Sequence, residues 1–194
     1  MPSDLHKGHG EPWLALDREE AFLLMIDVQE RLAAAMPAAE CAAFEKNVEV
    51  LLKTAVRLQL PVIASEQYPQ GLGHTLPRLR ALLPEAPLEK VEFSCGNSKA
   101  VARRILLTGR RQAIVAGMET HVCVFQTVRD LLSGEFAVFV PQDAVLSRTE
   151  ANRAVGLRLC EKAGATVTST ETVLFDLLGK AGTPEFKELA PLIK

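Results

Sequence analysis

Five short stretches of this chain are apolar on both faces, and segments with helical periodicity stand between them. The apolar runs cover residues 21–28, 61–66, 112–117, 136–140 and 165–169. A strand with one face in water alternates apolar and polar residues, whereas a strand buried on both faces does not. The helical segments are 44–59, where Phe44, Val48, Leu51, Leu52, Ala55 and Leu58 share one face, then 97–107, 121–133, 149–162 and 171–178. Asn97 reads as an N-cap, and Gly109 and Gly134 as helix stops. Residues 76–83 read as a short helix, 87–94 as extended, and 68–74, rich in Gly and Pro, as a loop. One more short helix is expected after Thr183. Regular alternation of buried strands and helices predicts an α/β fold: three layers, α/β/α, around a Rossmann-like, mainly parallel sheet of about six strands. With no internal repeat or linker, residues 1–194 read as one domain, with 1–20 an N-terminal extension and 21–180 the core.

The net charge is −2 with no long run of one sign, so nothing favours a nucleic-acid partner or an acidic membrane surface. No apolar run reaches the roughly 20 residues of a membrane span. The polar start, with Lys7, His6 and His9, lacks the apolar segment of a signal peptide and reads as a frayed tail. The four cysteines (Cys41, Cys95, Cys123 and Cys160) are scattered without a C-x-x-C pair. That spacing argues against a zinc ribbon or a disulfide framework and predicts a reducing, cytoplasmic setting. The expected partner is a small-molecule substrate, with no membrane and no nucleic acid.

The stretch from Val115 to Val124 is the most informative for chemistry. A buried strand breaks at Gly117 and feeds a helix, with Thr120 suited to the N-cap and Cys123 then at the third helical position. Backbone N–H groups at a helix start are unpaired and the dipole end there is positive. Both favour the thiolate, which is the reactive form. The alternative is that Cys123 is a small core hydrophobe, as most free cysteines are.

In an open parallel sheet, ligands gather beyond the carboxyl ends of strands, where strand order reverses. Asp27 ends the first strand, Glu66 ends the second, and Cys123 follows the fourth. If the first and fourth strands flank the switch point, Asp27 and Cys123 face each other across one crevice, a thiol beside a carboxylate able to take its proton. A carboxylate is a weak base for a thiol, since their reference pKa values differ by about four to five units. A cation would help, and Lys90, between apolar neighbours in an extended segment, is the candidate. Taken singly, Asp27 also reads as a helix cap, and Lys90 as a solvated charge beside Glu89 and Glu92.

Together, Asp27 after an apolar strand, Lys90 ahead of Phe93-Ser94, and Gly117-x-x-Thr120-x-x-Cys123-Val124 resemble the isochorismatase-like cysteine hydrolases over about residues 21–178. The loop from Ser65 to Gly73 resembles that of the metal-free subgroup, which includes the isochorismatase-domain-containing proteins. The resemblance implies a triad: Cys123 as nucleophile, Asp27 as proton acceptor and donor, and Lys90 as electrostatic partner. It also implies a cis peptide at Met118–Glu119, an oxyanion hole from the N–H groups of Glu119 and Cys123, and a homo-oligomer. Glutamate at position 119 departs from the small or apolar residue usual there, which bears on pocket polarity but not on the backbone N–H. Gln29, Gln67, Tyr68 and Phe93 are the expected substrate-pocket residues.

Nicotinamide-hydrolysing relatives bind a metal through an Asp-x-His pair after the second strand. This chain has Glu66-Gln67-Tyr68 there, and His74 alone cannot make a site. The expectation is no metal, no cofactor, and a loop that serves as pocket wall. A cysteine nucleophile points to hydrolysis of a C–N amide bond through a thioester. The alternatives are vinyl-ether hydrolysis of an isochorismate-like substrate, and a binding protein that keeps the fold without the reaction.

Overall fold

The computed structural model describes residues 14–193, so the tail that carries His6 and His9 lies outside the described residues. From the start of the core the elements are β1 (Ala21–Ile26), α1 (Glu30–Ala34), α2 (Ala38–Arg57), β2 (Val62–Gln67), α3 (Pro69–Leu72), α4 (Pro77–Arg80), β3 (Leu88–Lys90), α5 (Lys99–Leu107) and β4 (Gln112–Met118). A π-helical turn (Thr120–Val124) leads into α6 (Phe125–Ser133). Then follow β5 (Ala137–Pro141), β6 (Val145–Leu146), α7 (Glu150–Ala163), β7 (Thr166–Thr168), α8 (Thr170–Leu178) and α9 (Pro184–Leu189).

The seven strands form one sheet in the order β3-β2-β1-β4-β5-β7, with β6 paired to the end of β4, and every pairing is parallel. Strand order therefore runs outward from β1 in both directions, and the switch point lies between β1 and β4. The apolar runs are apolar on both faces because both faces are covered. Along β1, Leu23 and Met25 point into a cluster with Phe44, Leu52 and Leu174 of α2 and α8. Phe22, Leu24 and Ile26 point into the opposite cluster with Val101, Val128 and Leu131 of α5 and α6. This is the period-two signature of a strand sandwiched between two helical layers.

The sheet has seven strands where about six were expected. The extra one, β6, is two residues long, too short to leave a periodic signal. The loop at 68–74 holds one helical turn, α3, which opens on Pro69 at the first helical position. Helix α5 is capped at Ser98 rather than Asn97, with no side-chain hydrogen bond at the cap.

Candidate active site

The carboxyl ends of β1 and β4 are forced together by one glycine. The register pairs Ile26 with Gly117, and a Cβ at Gly117 would stand 2.0 Å from the Ile26 carbonyl oxygen. Gly117 also has φ +134°, a conformation L side chains rarely adopt. Directly after Ile26, Asp27 has φ +52°, in the left-handed region that non-glycine residues enter only when their surroundings impose it. Here the Asp27 N–H donates to the Ser65 carbonyl at 3.1 Å and the Asp27 carbonyl accepts from Gln29 N–H at 2.9 Å.

After β4 the Met118–Glu119 peptide is cis. The chain does not enter an α-helix with Thr120 as N-cap and Cys123 at its third position. Glu119 holds the extended cap position, and Thr120–Val124 forms a π-helical turn with Cys123 as its fourth residue. Thr120 does not cap because its hydroxyl is sealed in the interior, with no hydrogen-bond partner among the described residues. Its N–H instead donates to Ser147 Oγ at 3.1 Å.

Lys90 reaches the same crevice from β3. Its Nζ lies 2.7 Å from Asp27 Oδ2, and both side chains have 0% exposure. It also donates to Gln67 Oε1 at 2.7 Å and to the carbonyls of Glu92 and Phe93 at 3.1 and 3.2 Å. The other carboxylate oxygen of Asp27 accepts from Ser65 Oγ at 2.7 Å. The Asp27 carboxylate also acts on the Cys123 thiol through its charge, which raises the thiol's pKa. Asp27 is therefore paired with the cation and acts electrostatically on the thiol.

The electrostatics of this thiol differ from the sequence expectation. Burial pushes the Cys123 thiol well above its ordinary value, and the Asp27 charge adds to the shift, outweighing the opposing pull of Lys90. The helix-start argument takes no account of burial, and in a buried site desolvation of the charged form dominates. The resting state is a neutral thiol beside a carboxylate already paired with an ammonium.

Among the described residues no oxygen accepts from the Glu119 N–H. The Glu119 carbonyl accepts from Val122 and Val124 at 3.0 and 3.3 Å. The carboxylate that set position 119 apart accepts from Arg148 Nε at 2.9 Å and from the Arg148 N–H at 3.1 Å. Of the four expected pocket residues, Gln67 contacts the Lys90 ammonium with its side chain. Gln29 is fully buried, with its amide bonded to the Gln67 N–H, the Gln67 carbonyl and the Gly73 carbonyl. It shapes the wall rather than lining the cleft. Phe93 offers its carbonyl to Lys90 while its residue surface is 55% exposed. Tyr68 lines a surface groove of about 510 Å³ with Pro69, Lys90, Val91 and Lys99. That groove runs past Lys90 and includes neither Asp27 nor Cys123.

The loop after β2 is closed on itself. Burial raises the pKa of Glu66, but hydrogen bonds from Thr75 and His74 outweigh this and leave it lowered. Among the described residues no three His, Cys, Asp or Glu side chains gather as metal ligands.

Sequence reasoning did not assign roles to Ser65, Thr127 and Cys95. Thr127 donates to the Cys123 carbonyl at 2.7 Å and accepts the Cys95 N–H at 2.9 Å. Cys95 Sγ lies 3.6 Å from Ser65 Oγ. The available signal was weak: Ser65 is a hydroxyl directly after the apolar stretch 62–64 of its strand, and Thr127 stands four residues past Cys123.

Residues 21–172 match the isochorismatase domain family. The chain is 39% identical over 153 residues to the secreted isochorismatase effector Isc1 of Phytophthora sojae, covering 76% of this chain and 73% of that one. It is similar to the solved structure of the MAR1 ribonuclease from Caenorhabditis elegans, with TM-score 0.84, 34% identity and 92% of each chain covered. It is also similar to the YcaC gene product of Escherichia coli, described as an octameric hydrolase of unknown specificity, with TM-score 0.88, 26% identity, and 94% of this chain and 92% of that one covered.

Proposed function

Since the chain belongs to the isochorismatase family of hydrolases, we propose that it cleaves the C–N amide bond of a small molecule, with Cys123 as nucleophile. The observation that carries this reading is that Asp27 is paired with the Lys90 ammonium at 2.7 Å in a buried crevice, and that both charges act on the buried Cys123 thiol. Asp27 takes the thiol proton as sulfur attacks the carbonyl carbon. With a thiol pKa raised by burial, transfer is concerted with attack and no free thiolate accumulates. The oxyanion lies on the N–H groups of Glu119 and Cys123, where losing one donor typically costs about 10²–10³ in rate. Asp27 then returns the proton to the departing amine as the C–N bond breaks, leaving a thioester. Next it deprotonates the water that attacks the thioester, giving the acid and restoring the thiol. Lys90 stays an ammonium throughout and offsets whichever negative charge the site carries.

The reading uses no metal or cofactor. The nucleic-acid class in one neighbour's name finds no support in a chain of net charge −2. Scattered cysteines support a reducing compartment such as the cytoplasm. On the strength of the octameric relative it forms a homo-oligomer, and light scattering at micromolar concentration should give a mass well above the 21.1 kDa chain. A monomer mass would refute that.

The decisive experiment is intact-mass spectrometry after incubation with a panel of small amides. An acyl mass on Cys123, absent in Cys123→Ser, is the expected result. Turnover of an isochorismate-like vinyl ether that survives Cys123→Ser would overturn the amide reading in favour of vinyl-ether hydrolysis. No product from any substrate, with tight binding of one, would favour a binding protein.

A further inference from the structure

The buried ion pair is held by more than its two charges. An ammonium has three protons and accepts nothing, and one taken out of water needs all three satisfied. Lys90 gives one to Asp27 Oδ2 and one to Gln67 Oε1, both at 2.7 Å, and shares the third between the Glu92 and Phe93 carbonyls. Among the described residues, Gln67 is the only side chain other than Asp27 to which this ammonium donates a hydrogen bond. Gln67 Nε2 donates to the Val91 carbonyl at 2.8 Å, which turns the amide oxygen rather than the nitrogen toward Lys90. Its backbone is clamped as well: the Gln67 N–H donates to Gln29 Oε1 at 2.7 Å and the Gln67 carbonyl accepts from Gln29 Nε2 at 3.0 Å. Gln29 stands two residues after Asp27, so Asp27, Gln29, Gln67 and Lys90 form a closed ring.

We propose that Gln67 is a positioning residue, a neutral tether that keeps the Lys90 ammonium in the crevice while Asp27 carries the proton of Cys123. The proposal rests on the cysteine-hydrolase reading above. Once Asp27 is protonated it is a neutral acid, and its hold on Lys90 drops to that of an uncharged acceptor. The negative charge is then on sulfur or on the substrate oxygen, and Lys90 must stay to meet it. Before transfer the carboxylate, ammonium and thiol sum to zero charge; after transfer the acid, ammonium and thiolate also sum to zero. A carboxylate at position 67 would hold Lys90 as firmly but make both sums −1, placing a second anion against the sulfur. The charged groups facing Gln67 are Lys90 and, through it, Asp27. Glu66, its strand neighbour, points to the opposite face, onto Thr75 and His74.

The test is the rate of Cys123 alkylation by iodoacetamide as a function of pH, mapped by peptide mass spectrometry in the full chain. It needs no substrate. Gln67→Glu should slow labelling at neutral pH by about tenfold, the equivalent of one pKa unit. Its ratio to wild type should return toward one as the pH falls and the new carboxyl protonates. Gln67→Leu, which cannot accept a hydrogen bond, should slow labelling without that recovery. Gln67→Asn, shorter but neutral and accepting, should lie nearer wild type than either, and stands in should one of them fail to fold by circular dichroism. A Gln67→Glu profile that overlays wild type, or that runs parallel to Gln67→Leu at every pH, reduces Gln67 to a structural part and sinks the proposal. Wild-type Cys123 that takes up neither iodoacetamide at any pH nor an acyl mass from the amide panel removes the cysteine-hydrolase reading itself, and the tether with it.

Discussion

Asp27 and Lys90 are a charge pair withdrawn from water, and that decides how each tolerates substitution. Removing one partner leaves the other charge buried and alone, which costs about 3–5 kcal/mol. Lys90→Met and Asp27→Asn should each lower the unfolding free energy read from urea titration by that order, and the double substitution should lose distinctly less than the sum. A strictly additive double mutant would show that the two groups are not coupled. All three variants should fail to form the acyl adduct. The sequence made these residues legible to different degrees. Asp27 and Cys123 stand out because each interrupts or follows an apolar run. Lys90 lies between Glu89 and Glu92, where a solvated charge is an equally good reading, and only the register of β3 against β2, which pairs Gln67 with Lys90, turns it inward. The protonation state of Cys123 was not legible at all, because desolvation depends on what packs around the sulfur. The same holds for Gln29, whose polar side chain suggests a pocket but is consumed by the backbone of a neighbouring loop.

The element that places Cys123 is a π-helical turn, and it is supported from outside. Helix α7 packs against it through Gly156, where an added Cβ would lie 2.7 Å from the His121 nitrogen and the Thr120 carbonyl carbon. Backbone cannot give way as a flexible side chain can, so Gly156→Ala must push the turn or lift the helix. Overpacking of this kind typically costs about 1–3 kcal/mol. The expected outcome is a folded protein with a lowered melting temperature and a greater relative loss of adduct formation than of stability, because the N–H groups of Glu119 and Cys123 move with the turn. Unchanged adduct formation in a destabilised Gly156→Ala would mean that the turn does not transmit the shift. Most of the strands and helices could be read from periodicity, because burial on both faces of the sheet writes itself into the sequence. The turn could not: its five residues are too few for a period, and its pitch is set by the buried Thr120 and by Ser147, which arrives from 27 residues away.

For the molecule as a whole, the buried thiols set a limit on alkaline stability. Burial raises the pKa of Cys95 to about 11 and of Cys160 to about 12, and raises Cys123 in the same direction. In the unfolded chain these thiols titrate near the ordinary value of about 8.5. Between that value and the folded ones, the folded state keeps protons that the unfolded state has released. The unfolded chain then binds fewer protons, so the slope of unfolding free energy against pH is negative. Stability is full below about pH 8.5 and falls as pH rises, by about 1.4 kcal/mol per pH unit for each thiol and roughly 4 kcal/mol per unit for all three. Urea midpoints measured from about pH 8 to about pH 10.5 should show this decline. Cys160 lies in α7, and its shift arises from burial alone. Cys160→Ala should therefore make the slope shallower by about one third, whatever it does to stability at neutral pH. The comparison of slopes separates the titration from any cavity the substitution leaves, since a cavity lowers the whole curve without tilting it. Stability that stays level to pH 10, or a Cys160→Ala slope identical to wild type, would show that the buried thiols do not govern the alkaline limit.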